Sequence, residues 1–573
     1  MAGQPKPAFY IAVGVVVVAL IGFAIYRSDI FAPKAKSKPK DMEIHVEDPK
    51  PVTTKDIKEV TYVPAQRLPE VKGTAAYKKM EGRTVRFAIN VWAGWAPIIL
   101  ANEGFKAGKV WKDGDGQDFK VELALIDDPV KMRDAYAAGD VHIGWGTLDM
   151  VPLFLESFVD KTGKPRDSRI MPRVYQQIDW SNGGDGIVVR EDVKTVADLR
   201  GRKLVLAQNS PSHFFALNML VYGGVQPSEV KMIFTEDAFQ AAAAFNAQKD
   251  IAGAVSWSPD IYNLAKVRGN RLLVTTSEAN KLIADIWFTR ADFAKDHPTI
   301  FEGLVRGIFD AMGELKREDA RKKAAGLMAK GYNIPPEDAL NMLGDAHNTN
   351  WAENYQFLMN QNNPTNFQAV WERAYYLYGR IGTITHQPLS YEQVLDYTVI
   401  QKLGKEEKYA SQKDEYTSKF VQKSSTEIKG VEQEILTNTV VIKFYPNSWD
   451  IRKKITREVD GKTVEELYDP HVDLVLAEIA KLAGQFGAAH IIIEGHTDGS
   501  MKGQVPANLV KELSLNRANA VKEELLEKYP NLDGKRFAVE GVGWDRPADS
   551  KDPDNQAKNR RVEVKVYSAE KPS

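Results

Sequence analysis

The sequence IIIEGHTDGS at residues 491–500 opens the stretch that decides the fold of the C-terminal part of this chain. It is followed by LSLNRANAVKEEL at 513–525, FAVEGVGWDRPADS at 537–550 and NRRVEVKVY at 559–567. Runs of β-branched residues in the first, third and fourth segments predict strands, and the apolar spacing of the second predicts an amphipathic helix. The alternation of strands and helix indicates an α/β domain.

These four motifs, in this order, resemble the OmpA-like peptidoglycan-binding domain that MotB- and Pal-like proteins share, and we place the domain at 433–568. The resemblance implies that Asp498 and Arg517 grip the diaminopimelate residue of the stem peptide. A carboxylate can take an ammonium, and a guanidinium can take a carboxylate with two hydrogen bonds. The remaining residues predicted for this site are Thr497 and Gly499, through nearby backbone amides, and Arg561, for which local pairing is the alternative.

The chain departs from the family pattern in two places. The loop between Asp498 and Leu513 is about four residues longer than usual, and Val510 stands where the family has an asparagine. How this loop closes over a peptide therefore stays open. The alternative is an OmpA-like fold that no longer binds the wall.

Length and composition bound the rest of the chain. A chain of 573 residues exceeds what one core normally supports and predicts several domains. The formal net charge of −1 favours no nucleic-acid partner. The absence of cysteine excludes disulfides, thiolate metal sites and cysteine nucleophiles.

Residues 82–403 alternate strand and helix signals, which predicts mainly parallel sheets with ligands at the carboxyl ends of the strands. The blocks VWAGWAPIILANEGF, DAYAAGDVHIGWG and TVADLRGRKLVLAQNSPSHFFALNML resemble solute-binding proteins of the nitrate/sulfonate/taurine (NMT1-like) type. The resemblance implies two hinged lobes, one at about 84–180 and 288–403 and the other at about 187–283. The connecting strands are expected near Trp180–Gly186 and Ala284–Thr289, and a linker at 404–432 leads to the C-terminal domain.

Aromatic and acidic residues at the predicted strand ends suit a small solute that is amine-bearing or zwitterionic, through cation–π contact and charge pairing. Two helix starts, at Pro97 and at Ser210-Pro211, offer amide groups for an anionic end. Packing and helix capping are the alternative role for each of these residues. The residues predicted to bind the solute are Trp92, Trp95, Asp127, Trp145, Thr147, Asp185, Asn209, Ser210, Ser212, His213, Asp237 and Trp257.

Residues 9–26 contain no charged side chain and are long enough to cross a bilayer core. After a short segment at 1–8 they predict a transmembrane signal anchor, because no small-x-small cleavage site follows. The Lys/Pro-rich residues 27–81 predict a flexible tether. The basic residues after the anchor favour a cytoplasmic C-terminal side, whereas the downstream resemblances imply a periplasmic one.

The sequence thus predicts a multidomain α/β protein with a single transmembrane helix, a two-lobed solute-binding module and an OmpA-like domain. The predicted function is an inner-membrane-anchored periplasmic solute-binding or sensing protein of a Gram-negative envelope, with peptidoglycan, a solute and a membrane-protein partner. The alternative is a structural or scaffold envelope protein whose solute-binding fold serves, without a ligand, as a spacer or partner-docking domain. No cofactor, metal site or enzymatic activity is predicted. The only candidate catalytic pair is His213 beside Ser210 and Ser212, and a lone histidine at a helix start more often binds a ligand or forms a structural hydrogen bond.

Overall fold

The structure is a computed structural model that describes residues 60–459 and 462–568. The predicted anchor at residues 9–26, the segment before it and most of the predicted tether lie outside the described residues. Among the described residues, no helix combines the length and the apolar character that a membrane crossing needs.

The middle module (residues 60–403) alternates strands and helices. Its strands are β1 (Tyr62–Val63), β2 (Thr84–Ile89), β3 (Val110–Lys112), β4 (Asp118–Leu125), β5 (Ile143–Thr147), β6 (Pro172–Ser181), β7 (Asp185–Arg190), β8 (Lys203–Ala207), β9 (Lys231–Thr235), β10 (Gly253–Trp257), β11 (Asn270–Thr275), β12 (Ala284–Arg290) and β13 (Ala346–Asn348). Its helices are α1 (Ala96–Ala101), α2 (Pro129–Ala137), α3 (Met150–Phe158), α4 (Pro211–Tyr222), α5 (Ala238–Ala247), α6 (Asp260–Ala265), α7 (Ala291–Asp296), α8 (Pro298–Glu314), α9 (Glu318–Tyr332), α10 (Pro336–Met342), α11 (Trp351–Leu358), α12 (Phe367–Arg380) and α13 (Thr398–Leu403).

Two sheets divide this module into two lobes. Lobe one has the strand order β13-β6-β12-β5-β2-β4-β3, and lobe two has the order β1-β9-β8-β10-β7-β11. The central strands β2, β5 and β8 are almost entirely buried apolar runs, as expected for strands covered by helices on both faces. The carboxyl ends of the parallel strands are therefore the natural place for a site.

After β2, the chain passes between the lobes twice. The first passage lies at residues 182–184, between β6 and β7, within the range that the sequence predicts. The second passage lies at residues 276–283, because β12 pairs along its whole length with β5 and β6 of lobe one. The expected connecting strand Ala284–Thr289 is thus an interior strand of lobe one.

Residues 60–81, which the sequence assigns to a flexible tether, are packed against the two lobes. β1 joins the edge of the lobe-two sheet, with Tyr62 opposite Thr235 and Val63 opposite Phe234. Further along, Ala75 N donates to Ala137 O at 3.1 Å in lobe one. The described part of the tether is therefore part of the folded protein.

The linker and the C-terminal domain follow. Their helices are α14 (Glu407–Ala410), α15 (Ser425–Val431), α16 (Val472–Gln485), α17 (Ala507–Lys528) and α18 (Gln556–Asn559). Their strands are β14 (Glu434–Val440), β15 (Lys454–Val459), β16 (Lys462–Leu467), β17 (His490–His496), β18 (Phe537–Gly543) and β19 (Val562–Tyr567). Four strands form a sheet in the order β14-β19-β17-β18, and β15 and β16 form a separate hairpin.

Helix α17 lies very close to the C-terminal sheet, and two glycines allow it. A Cβ atom at Gly495 on β17 would lie 2.0 Å from Ser514 O, and one at Gly541 on β18 would lie 2.3 Å from Lys511 O. Any side chain at either position would collide with the helix backbone. This close packing places Arg517 of α17 over the end of β17.

The C-terminal domain also contacts the middle module. Gln433 Nε2 donates to Lys194 O at 2.8 Å, and Asn438 Nδ2 donates to Tyr222 O at 3.1 Å, both in lobe two. Lys281 N, in the second passage between the lobes, donates to Gln485 O at 3.1 Å. The two folded parts are therefore joined by an interface as well as by the linker.

Candidate functional sites

The first candidate site is the junction between the two lobes of the middle module. A polar row crosses four adjacent strands of lobe one, in which Thr147 lies opposite Asp285, Asp285 opposite Asp179, and Asp179 opposite Asn348. Residues opposite one another on neighbouring strands point to the same face of a sheet. The row therefore collects two carboxylates at one end of the lobe-one sheet.

Four buried carboxylates meet at this junction: Asp149, Asp179, Asp185 and Asp285. Among the described residues, none of the four forms an ion pair with a lysine, arginine or histidine. Their partners are Tyr378 for Asp149, Trp92 for Asp179, Ser181 for Asp185, and Asp179 for Asp285. Burying a carboxylate without a cation is costly, so the junction is built to hold protons or a positively charged group.

The pKa values of these carboxyl groups follow from their burial. Desolvation raises the pKa of Asp149 to about 7, even though the neighbouring hydroxyl groups of Thr147 and Tyr378 act to lower it. Desolvation also raises the pKa of Asp185 to about 6. The pKa values of Asp179 and Asp285 are raised by burial and, for Asp285, by the neighbouring negative charge of Asp179.

The start of α4 supplies the facing side of the junction from lobe two. Ser210 precedes the helix and Pro211 begins it, as the sequence predicts, but Ser210 Oγ donates to Ala207 O at 2.8 Å and does not cap the helix. Asn209 adopts a positive φ of 55°, and its backbone N–H donates to His213 Nδ1 at 3.2 Å. Burial lowers the pKa of His213 to about 4, so this ring is neutral at physiological pH.

Several polar atoms at the junction are buried without a hydrogen-bond partner among the described residues. They are Thr147 Oγ1 and Asp149 Oδ1 from lobe one and Asn209 Oδ1, Ser212 Oγ and His213 Nε2 from lobe two. Native structures leave few buried polar atoms unsatisfied, so such a group marks a place for water, an ion or a ligand.

Tyr378 on α12 connects the two sides. Its hydroxyl donates to Asp149 Oδ2 at 3.3 Å, and its ring lies edge-on to the His213 ring with centroids 5.8 Å apart. The ring also lies 6.2 Å from the Phe214 ring. The lobes are thus in direct contact around the unsatisfied atoms, which are enclosed.

The structure divides the residues that the sequence predicts for the solute site. Thr147, Asp185, Asn209, Ser212 and His213 lie at the junction, and Trp92 reaches it through its hydrogen bond to Asp179. Trp95, in the turn just before helix α1, is a core residue whose indole donates to Asn90 Oδ1 at 2.7 Å, so it is directed into the interior. The other five form local contacts instead. Asp127 accepts from Val91 N, Trp145 donates to Ile126 O, Ser210 donates to Ala207 O, Asp237 accepts from Gln240 N, and Trp257 packs against the Phe239 ring.

Sequence reasoning missed Asp149 and Tyr378 and did not choose Asp179 or Asp285 from among the acidic residues near strand ends. Asp149 follows β5 by two residues, so its position past a strand end was a usable signal. Tyr378 lies on a helix more than 220 residues away from Asp149, and no local pattern connects them. Helix α1 has only six residues, so its amino-terminal end does not form an anion site of its own.

The second candidate site is a cavity of ≈ 220 Å³ in the C-terminal domain. It is lined by Val441, Ile442, Lys443, Phe444, Tyr468, Gly495, His496, Arg517, Gln556, Arg560, Arg561 and Val562. Three arginines and a lysine make it a site for a negatively charged group. The cavity lies where α17 crosses the end of β17.

Arg517 lines this cavity and Asp498 adjoins it through Arg560, but the two residues do not pair with each other. Asp498 is buried and accepts from Arg560 Nε at 2.5 Å. Burial acts to raise the pKa of Asp498, but hydrogen bonds from Ser500 and Arg560 outweigh it and lower the pKa. The carboxylate is therefore charged and already held by a cation.

Arg517 is held in place by the loop that contains Phe444 and Ser448. Its Nε donates to Ser448 O at 3.0 Å, and its guanidinium lies 5.0 Å from the centre of the Phe444 ring. Burial lowers the pKa of Arg517 to about 10, and the nearby positive charge of Arg560 adds to this effect. The guanidinium remains charged at neutral pH, and it lines the cavity without an acidic partner among the described residues.

The other three residues predicted for this site have different roles. Thr497 N donates to Gly543 O and Gly499 N donates to Pro553 O, both at 2.8 Å, so these amides are not free for a ligand. Arg561 pairs with Glu563 at 2.6 Å and holds the turn before β19. The arginine that faces Asp498 is Arg560, the residue before it.

A metal could be considered at Glu494, His496 and Glu563, whose ligand atoms lie within 4.8 Å of one another. Lys429 Nζ lies 2.6 Å from Glu494, and Lys565 Nζ lies 3.5 Å from it. Burial opposes ionisation of Glu563, but the hydrogen bond from His496 lowers its pKa to about 2. These cations already neutralise the carboxylates, so the cluster is a buried charge network.

Comparison with known proteins supports both modules. Residues 443–561 match the OmpA family, and residues 180–318 match the family described as NMT1/THI5 like. The outer membrane protein Omp38 of Acinetobacter baumannii is 36% identical over 106 residues, which are 18% of this chain and 27% of that protein. The taurine-binding periplasmic protein of Escherichia coli is 24% identical over 194 residues, which are 33% of this chain and 56% of that protein.

Among solved structures, the periplasmic aliphatic sulphonate binding protein SsuA from Escherichia coli aligns at 16% identity and a TM-score of 0.40, covering 54% of this chain and 96% of that chain. The chain spans about a quarter of the length of Omp38 and about half of the taurine-binding protein. The two family matches show that it combines a solute-binding-like domain of periplasmic type with an OmpA domain.

Proposed function

We propose that this chain is a periplasmic solute-binding or sensing protein that its C-terminal domain holds to peptidoglycan, and that residues 9–26 anchor it in the inner membrane. The observation that carries the proposal is the lobe junction, where four buried carboxylates have no cationic partner among the described residues. A fold that serves only as a spacer has no reason to keep such a costly cluster.

We propose a small zwitterionic solute with an amine at one end and an acidic group at the other. The carboxylates of lobe one would take the ammonium, and the unsatisfied atoms around Ser212 and His213 at the start of α4 would take the acidic end. The taurine-binding relative supports this chemistry, since taurine has both groups.

Thermal unfolding of the full chain tests the solute proposal. Taurine and β-alanine should raise the melting temperature of the middle module, because a ligand that binds only the folded state stabilises it. Ethanesulfonate, which lacks the ammonium, and ethylamine, which lacks the acidic group, are the matched probes. The zwitterion proposal fails if neither taurine nor β-alanine acts, or if either single-ended probe acts as strongly.

For the C-terminal domain we propose that the arginine-lined cavity takes a carboxylate of the peptidoglycan stem peptide and that Asp498 takes an ammonium. Arg517 and Arg560 flank the cavity, and Asp498 lies against Arg560. A zwitterionic amino-acid end such as that of diaminopimelate presents both charges at once. Its ammonium would share Asp498 with Arg560, whose side chain is partly exposed and free to turn toward the incoming carboxylate.

Co-sedimentation of the full chain with purified sacculi tests this part. Asp498→Asn and Arg517→Gln should each reduce the bound fraction at least tenfold, because each removes one half of a charge-assisted contact. Asp549→Asn is the matched control, since Asp549 is a half-buried acidic residue that pairs with Lys558 and does not line the cavity. Unchanged binding of both site variants would favour a C-terminal domain that no longer binds the wall.

A spacer role without a ligand is the second candidate. The direct packing of Tyr378 between Asp149 and His213 favours it, because the ring occupies part of the junction. We propose no enzymatic activity, since Ser210 Oγ donates to a backbone carbonyl rather than to His213. Absence of thermal stabilisation by every probe, combined with retained sacculus binding, would support the spacer.

A further inference from the structure

Residues 60–66 fasten the N-terminal side of the described chain to lobe two. Val60 packs on the apolar cluster under α5, and β1 pairs with the edge strand β9. Gln66 N donates to Gln208 Oε1 at 3.1 Å, and Asn209 Nδ2 donates to Gln66 O at 3.2 Å. Asn209 also supplies one of the unsatisfied atoms of the junction.

The next residue belongs to lobe one. Arg67 Nε donates to Gly382 O at 3.2 Å, and its guanidinium lies 3.7 Å from Glu156 Oε1. The chain therefore crosses from one lobe to the other between two consecutive residues, beside the proposed solute site. It is a third connection between the lobes, in addition to the two passages of the hinge.

The lobe-one side of this connection is anchored by buried charges. Arg133 NH1 donates to Pro69 O at 2.7 Å, and Arg290 NH2 donates to Ala75 O at 2.6 Å. Both guanidinium groups are fully buried, so losing these carbonyls would leave buried donors unsatisfied. His142 Nε2 lies 2.7 Å from Lys78 O and adds a further contact.

The lobe-two side is much weaker. β1 has only two residues, it lies at the edge of its sheet, and Tyr62 is exposed. The hydrogen bonds that Thr61 and Tyr62 form with Gln240 and Gln248 are exposed to water, so β1 belongs to the parts of a fold that open first.

We infer that residues 60–66 are a detachable latch that holds the two lobes closed over the junction. Gln66 is bound to lobe two and the next residue, Arg67, is bound to lobe one. The lobes therefore cannot separate at the hinge until β1 has left β9. Because the chain before residue 60 continues directly into β1, traction on that chain pulls the latch off its sheet. Access to the junction is thereby coupled to the N-terminal segment, whatever the identity of the solute.

Inter-lobe distances measured by electron paramagnetic resonance test the latch. The chain has no cysteine, so Lys161→Cys on lobe one and Lys249→Cys on lobe two give two unique spin-label sites on the full chain. Val63→Pro removes an N–H from the ladder with β9, and Val63→Thr is the matched control that keeps it.

With Val63→Thr and the parent chain, one narrow distance distribution is expected. With Val63→Pro, a second population at longer distance should appear while the melting temperature of the middle module shows that it is still folded. An unchanged distribution in a folded Val63→Pro protein would overturn the latch.

Hydrogen exchange of the unsubstituted full chain gives a second test that needs no variant. The amide of Gln66 should exchange at least tenfold faster than those of Ala75 and Lys78, which donate to carbonyls of lobe one. Equal protection of these amides would overturn the latch, because residues 60–66 would then stay on lobe two as firmly as the following residues stay on lobe one. This result is independent of solute and wall binding, so it separates the latch from the proposed function.

Discussion

Replacing Asp149 by asparagine should stabilise the ligand-free middle module, and the gain should grow with pH. Asp149 is 1% exposed, and asparagine has nearly the same shape and can still accept from Tyr378. At low pH the carboxyl group is neutral and the two side chains are almost equivalent. At high pH the folded parent chain must hold a buried negative charge that the variant lacks.

The sign and size follow from the raised pKa. The pKa of Asp149 is about 7 in the folded protein against 3.8 for an ordinary aspartate, so the unfolded chain releases this proton first. Stability from the bound proton is present below pH 4 and is lost as the pH rises through about 7. Integrating this linkage from pH 5 to pH 8 gives an increase of about 2–3 kcal/mol in the stability gain of Asp149→Asn.

Urea unfolding followed by tryptophan fluorescence measures this gain. All eleven tryptophans except Trp449 and Trp544 lie in the middle module, so the signal reports mainly on it. The lowered pKa of His213 makes the stability of the folded protein rise with pH, which is the opposite trend. This contribution is present in both variant and parent, so the difference between their stabilities at each pH removes it. Asp192→Asn is the control, because Asp192 is exposed and pairs with Arg202.

A gain of the same size at pH 5 and pH 8 would refute the reasoning. It would mean that Asp149 ionises in the folded protein as easily as in water, and that the junction is open to solvent. A gain with Asp192→Asn that grows in the same way would refute the assignment to burial.

Two further predictions concern the C-terminal domain, with urea midpoints as the measurement for both. Gly495→Ala should destabilise it by more than about 2 kcal/mol, because the new methyl group would lie 2.0 Å from Ser514 O, whereas Gly430→Ala, with no atom within 4 Å of the added Cβ, should change stability by less than about 1 kcal/mol. An unchanged midpoint for Gly495→Ala would contradict the close helix packing. Arg536→Met should lower the stability by about 3 kcal/mol or more, because the buried guanidinium donates to three carbonyls at residues 483–489. An unchanged urea midpoint would mean that water replaces the guanidinium.

Local patterns predicted much of the C-terminal site. The HTD strand end and the LSLNRA helix place Asp498 and Arg517 at one end of the sheet, and the structure has both there. The choice between Arg560 and Arg561 was beyond the sequence. Neighbouring residues entering a strand point to opposite sides, so a shift of one position decides which arginine meets Asp498.

The extent of the tether was predicted less well. Ten of the 22 residues from 60 to 81 are apolar, but they show no helix or strand period, so the local pattern indicates an extended linker. They are ordered by partners far away in sequence, such as the buried arginines Arg133 and Arg290. An extended segment that satisfies buried donors with its carbonyls has no hydrophobic pattern that would reveal it.

The sequence by itself determined the order of the modules, the α/β character of each, and the residue types at the strand ends. These features depend on local periodicity and on motifs of fixed spacing. Only the tertiary structure decided which acidic residues share the lobe junction, that Tyr378 closes it, and that the chain crosses it at Gln66. The junction depends on contacts such as Asp149–Tyr378 and Asp179–Asp285, which join residues more than 100 positions apart, and no local pattern encodes them.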